Sequence, residues 1–292
     1  MTFPGRVALR SHVLGLLISN DWHYTRRRNL LFNLRAQFFD STFILSISYV
    51  IAIKMDRWSS SQMPAGRHLP DYRGRLWLAL HSTQPTMNHN HPGFTAKELR
   101  KLRSLKDPHG IQRYLDAMPY HLADTAWSPR RVLAENTSHC LEGAIFGAAA
   151  LRANGFPPLI VDLEAEHDTD HVLAVYRVDG HWGAVAKSNY TGCRYREPVY
   201  RTLRELALSY FNIYFNLRRE RTLRRFSRPV NLARFDRLEW MTTDKPIWFI
   251  VYYLLEIPHY SLFSRRIARR LHRVDERVYQ SEILGKAYKQ KR

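Results

Sequence analysis

Ser138-His-Cys-Leu-Glu-Gly-Ala-Ile-Phe-Gly-Ala-Ala-Ala-Leu-Arg-Ala-Asn154 is the stretch that decides the fold, read together with the segments that follow it. These are Pro158-Leu-Ile-Val-Asp-Leu163, His171-Val-Leu-Ala-Val-Tyr-Arg-Val178, Asp179-Gly180 and His181-Trp-Gly-Ala-Val-Ala186. The first segment predicts a helix. Asn136-Thr137-Ser138 supplies cap residues, Glu142 falls in the first turn, and Asn154-Gly155 before Pro157-Pro158 supplies the stop. Its small-residue body predicts close approach to neighbours, and hence burial. The second segment, short and β-branched, predicts a strand. Asp-Gly between two apolar runs predicts a hairpin. A buried helix, a few antiparallel strands and flanking helices make the expected class α+β.

Upstream, Thr95-Ala-Lys-Glu98 fits a capping box, and Pro108 sits at the start of a further helical stretch through Ile111, Leu115 and Met118. Downstream, residues 203–211 read as helix, and so do residues 262–279. In this last segment Arg266, Arg270, Arg273 and Arg277 fall on one side at helical spacing, with Ile267, Leu271, Val274 and Val278 on another. The polar run from His81 to Gly93 reads as a linker. The expected organisation is a basic, poorly ordered leader over residues 1–94, followed by one α+β domain with a helical extension over 95–292. Met63 and Met87 are alternative starts.

The 292 residues are 45% hydrophobic, which excludes a disordered or low-complexity chain, and carry 45 Lys and Arg against 26 Asp and Glu. The resulting +19 favours an anionic partner, whether nucleic acid, a membrane surface or an acidic protein. Two cysteines exclude a disulfide framework and point to a reducing, cytoplasmic setting. Apolar runs at 13–18, 43–53 and 247–255 fall short of the roughly 20 residues of a membrane-spanning helix, so no transmembrane segment is expected and the last two runs are read as core.

Cys140 is the sharpest chemical feature. At a helix N-terminus, unsatisfied N–H groups and the positive end of the dipole favour a thiolate and can hold an oxyanion. A base and an orienting group complete such a site. His171 opens the first hairpin strand, and Asn189 lies just past the second, so the hairpin brings them to one end of the sheet. An acidic neighbour such as Asp170 is expected to raise the imidazole pKa and favour an imidazolium beside the thiolate. Cys193 is read as structural. The crowded residues 164–171 and the pair His89 and His91 lack metal-ligand spacing, so no metal and no organic cofactor is expected. Asn136-Thr-Ser138, formally a glycosylation acceptor, is read as helix capping.

His139-Cys140-Leu-Glu-Gly-Ala144, Asp170-His171-Val-Leu-Ala-Val175 and Gly180-His181-Trp182 resemble the transglutaminase-like branch of the papain-like cysteine proteins, over residues 101–214. The resemblance implies a papain-like core and a Cys-His-Asp/Asn triad performing acyl transfer on the carbonyl of a peptide, protein or other amide or ester. Cys140 is then nucleophile and His171 general base. The third position departs from the pattern. Where the family has Asp about four residues after the hairpin Trp, this chain has Ala186, so Asn189 is the expected third member and Ser188 its rival. The competing reading is an inactive fold of this type that binds an anionic partner through its basic surface. Arg194-Tyr195-Arg196 and the arginines between 218 and 228 are alternatively read as a clamp for an anionic group of the substrate.

Overall fold

The computed structural model describes residues 93–288. The expectations for the leader, for the apolar runs at 13–18 and 43–53 and for His89 and His91 lie outside the described residues. Helices α1 (Ala96–Arg103), α2 (Pro108–Ala117), α3 (Pro129–Glu135) and α4 (Cys140–Ala153) lead into strands β1 (Leu159–Ala165), β2 (His171–Val178), β3 (His181–Val185) and β4 (Arg196–Tyr200). Then come α5 (Leu203–Leu208), β5 (Leu223–Ser227), β6 (Val230–Asn231), α6 (Trp248–Glu256), β7 (His259–Ser261), α7 (Arg265–Ala268) and α8 (Glu276–Ile283). The class is α+β, as the segment order implies. All strand pairs are antiparallel, in the order β4-β3-β2-β1-β5-β7, with β6 also on β1.

Local chemistry explains the early elements. Thr95 and Glu98 close the capping box, with N–H···O distances of 2.7 and 3.2 Å. Asp107 caps α2, and Pro108 takes the position where a missing N–H costs nothing. Asp179 and Gly180, both at positive φ (47° and 81°), make the two-residue turn that joins β2 to β3.

The sheet separates two apolar layers because its side chains alternate. Ile160, Val172, Ala174, Tyr176 and Val185 face α4 and, beyond it, α6. Val161, Leu163, Leu173, Val175, Ala184 and Ala186 face α5 and Tyr210 and Tyr214. Every residue of α4 except Arg152 is buried, as its composition requires. Glycine sets the contact distance: a Cβ on Gly147 would lie 3.1 Å from that of Ala174, and one on Gly143 only 2.3 Å from that of Lys187. The apolar run at 247–255 is core, with Ile247 and Ile250 fully buried. Among the described residues, no helix is long and apolar enough to cross a membrane.

Three expectations need correction. The sheet is not small: β4 to β7 lack the hydrophobic alternation that marks a strand. Pro198 in β4 fits because β4 is an edge strand. Arg224 and Arg225 in β5 are accommodated by ion pairs to Glu166 and Glu164. Second, the helix expected over 262–279 is broken into α7 and α8. The Val274 N–H is drawn out to Arg219 O (2.9 Å), His272 O accepts from Arg221 Nη1 (2.5 Å), and Asp275 caps a new helix. The arginine and apolar stripes therefore do not share one helix. Third, Asn136, Thr137 and Ser138 do not cap α4. Asn136 ends α3 in the left-handed region, and the cap position of α4 is His139.

Candidate active site

Cys140 is the first residue of α4 and only 8% exposed. The adjoining loop and turn are tied down by Glu142, fully buried in the same first turn. Its carboxylate accepts from Thr125 Oγ1 (2.5 Å), Trp127 N (3.1 Å) and His139 N (3.3 Å), and contacts His121 Nδ1 at 3.2 Å. Burial works to raise the Glu142 pKa, but His121, Thr125 and the nearby His139 outweigh it and the net shift is downward. This network fixes the end of α4 that presents the thiol.

The sheet explains how a residue on one side of it comes to line the same cavity as a histidine on the other. β3 ends at Val185, opposite Ala174, so the first residues of β2 have no partner on that edge. The Asp162 N–H points away from β2, to Ser227 Oγ, and the facing Val172 therefore directs its own N–H to the open edge. The Cys140 sulfur lies there, within hydrogen-bonding reach of the Val172 and Leu141 N–H groups and of the Tyr120 hydroxyl. His171 faces the layer away from α4, with ring centroids 6.5 and 6.3 Å from those of Tyr210 and Tyr214. A cavity of about 60 Å³ joins the two sides, lined by Cys140, His171, Ser188, Asn189 and Tyr120, with Asp168 and Asp170 on its wall.

The expected triad residues thus meet at one cavity, but their bonding differs from the expected pattern. His171 Nε2 is 2.9 Å from the Cys193 carbonyl oxygen. A carbonyl only accepts, so Nε2 carries the proton and Nδ1 of the neutral ring keeps its lone pair. Asn189 does not hold the ring: its Nδ2 donates to Ala287 O (2.9 Å) and its Oδ1 accepts from Ala287 N (2.8 Å). Ser188 Oγ accepts from Tyr190 N (3.0 Å). Orientation of the imidazole falls to the main chain of Cys193, a residue read as structural, whose own sulfur is buried 3.6 Å from Ile213 O.

The resting charge state also departs from expectation. Burial pushes the Cys140 thiol up to about 11, against which the N–H groups and Tyr120 act only in part. Burial lowers His171 to about 4, and Asp170 does not offset it. The cavity thus holds a neutral thiol and a neutral imidazole at rest, not thiolate and imidazolium. Desolvation outweighs the helix N-terminus here because both groups are almost sealed from water.

The wall that carries Ser188 and Asn189 is tied to the end of the chain. Besides the Asn189–Ala287 pair, Thr191 N donates to Glu282 O (2.9 Å), Gly192 N to Glu282 Oε2 (2.6 Å), and Lys286 Nζ to Tyr190 OH (2.7 Å). Apart from Arg218, the arginines expected to clamp a substrate anion are engaged elsewhere, Arg219 with Glu276 and Arg221 with the His272 carbonyl. Arg196 lies over the Tyr210 ring, Arg194 contacts Asp116, Arg225 pairs with Glu164 of β1 and Arg224 with Glu166 just after it, and Arg228 meets Tyr253. Among the described residues, no group of three or more His, Cys, Asp or Glu has a metal-holding arrangement. Sequence reasoning missed Tyr120, which follows Pro119 in a loop without motif, and the Cys193 carbonyl, which has no side-chain signal. The Glu142 network was legible only as a cap.

Compared with known proteins, the chain matches no protein-family model and no curated protein.

Proposed function

We propose that this protein is a thiol-dependent acyl-transfer enzyme acting on amide or ester carbonyls, with Cys140 as nucleophile and His171 as base. The observation that carries this reading is a single cavity shared by a thiol at the first residue of a buried helix and an imidazole whose Nδ1 is free of the proton. The thiol proton passes to His171 Nδ1 as sulfur bonds to the carbonyl carbon. The oxyanion is held by the N–H groups opening α4 and by the Tyr120 hydroxyl. His171 then protonates the leaving group, and water or an amine resolves the thioester. Cys193 O orients the ring in the role first assigned to Asn189, and Asn189 shapes the wall. The residues favour neither hydrolysis nor transfer. A fold that keeps this cavity without chemistry is the second reading, favoured by the high thiol pKa.

Incubation with p-nitrophenyl acetate, followed by peptide mass analysis, separates the two. Acylation of Cys140, lost in Cys140→Ala and reduced at least a hundredfold in His171→Gln with the circular dichroism unchanged, is the expected result. Acylation confined to Cys193, or none in a folded protein, overturns the proposal.

A further inference from the structure

Residues 262–274 contain five arginines and no acidic residue. Had this segment formed the single helix its periodicity suggests, those side chains would have followed one helical face. Instead α7 is one turn long and the chain then runs unwound to α8. Two main-chain bonds and one side-chain bond fasten it to the preceding segment: Leu262 N to Arg224 O (3.0 Å), Val274 N to Arg219 O (2.9 Å), and the Arg221 guanidinium Nη1 to His272 O. The Val274–Arg219 bond joins the residues next in the chain to Arg273 and Arg218 and so brings these two arginines to one region. There the Glu220 carboxylate, held below its ordinary range by Asn216 first, also feels Arg218, His167 and Arg273. Arg265, Arg266, Arg269, Arg270, Arg273 and Arg218 are all exposed, and among the described residues none of them forms an ion pair.

We infer that this surface binds the phosphate backbone of duplex nucleic acid, without reading sequence. A surface needed only for solubility interleaves charges of both signs, whereas this one concentrates a single sign on a docked segment. Lipid fits less well, because an interfacial helix needs a sustained apolar face and α7 offers only Ile267, 51% exposed. The rings nearest the arginines are engaged within the fold rather than offered for stacking on single strands: Phe263 packs on Phe211, Tyr279 on Phe215 and Arg219, and Tyr260, although 52% exposed, on Phe226. Residues 265–273 extend at most about 20 Å, over which a duplex presents about a dozen phosphates, so six contacts fit.

The test is the salt dependence of binding to a 20-base-pair DNA duplex, using the full chain. Six contacts give a slope of log K against log salt near −5. The triple variant Arg266→Gln, Arg270→Gln, Arg273→Gln is expected to bring it to about −3. The triple variant Arg100→Gln, Arg103→Gln, Arg113→Gln, exposed but on α1 and α2, leaves it unchanged. Equal loss in both triples assigns binding to overall charge and overturns the inference. So does absence of duplex binding at 50 mM salt, or retention on phosphatidylserine vesicles that the patch variant alone abolishes while the duplex is ignored. Acylation of Cys140 is unaffected in either triple.

Discussion

The alkylation rate of Cys140 by iodoacetamide is expected to climb tenfold for each pH unit from 7 to about 11, instead of levelling near 9 as an ordinary thiol does. Only the thiolate reacts. With burial holding the thiol at about 11 rather than 9.0, the thiolate fraction at pH 7.5 is about 0.03%, against about 3% for the ordinary group. Unfolding in urea should therefore accelerate the reaction by at least about a hundredfold, before any gain from removing the steric cover of a cavity of about 60 Å³. The assay is peptide mass spectrometry across pH, with His171→Gln alongside. Because the resting pair is neutral, that substitution should leave the pH profile of alkylation unchanged even though it abolishes acylation by an ester. A plateau near pH 7 that disappears in His171→Gln would refute the reasoning. It would mean that a thiolate–imidazolium pair exists at rest and that the helix N-terminus prevails over desolvation.

His171 itself makes stability depend on pH. Its folded pKa of about 4 lies below the ordinary 6.5, so the unfolded chain takes up the proton first. The contribution is complete above pH 6.5 and is lost as pH falls, by about 3 kcal/mol at pH 4. Unfolding free energies from urea titrations at pH 7 and pH 4 should differ less in His171→Gln by that amount. Gly143→Ala should destabilise by about 1–3 kcal/mol, because the new methyl meets Lys187 Cβ within van der Waals contact; a thermal shift of less than 1 °C would contradict the close approach. Glu142→Ala, which strips buried partners from Trp127 N and His139 N, should cost about 3–5 kcal/mol. Glu142→Gln, which keeps an acceptor, should cost less, as chemical denaturation can measure.

The helix–strand–hairpin series was legible because each element carried its own punctuation: Asn154-Gly155 and the prolines after α4, and Asp179-Gly180 between β2 and β3. β5 was not, since Leu-Arg-Arg-Phe-Ser has no strand pattern until Glu164 and Glu166 of the neighbouring segment are known to neutralise it. The C-terminal helix misled for the converse reason. Its periodicity is genuine, yet bonds from Arg219 and Arg221 outbid the helix for the same main-chain groups. At the candidate site, residue types and their order placed Cys140, His171 and Asn189 around one cavity. Their bonding could not be read, because the partner of His171 is a main-chain oxygen and that of Asn189 is a residue ninety-eight positions away. Sequence also carries no direct signal of solvent access, which is what sets the charge of both Cys140 and His171.

The ties between residues 189–192 and 282–287 give the C-terminal segment mechanical leverage over the cavity wall. Two of these bonds form a closed amide-to-backbone couple at Ala287, so a displacement there is transmitted to Asn189 on the cavity wall. A fusion partner or immobilising handle joined beyond Ala287 therefore pulls on the same main-chain couple that holds Asn189, which makes the attachment point a variable to fix before the reactivity of Cys140 is compared between preparations.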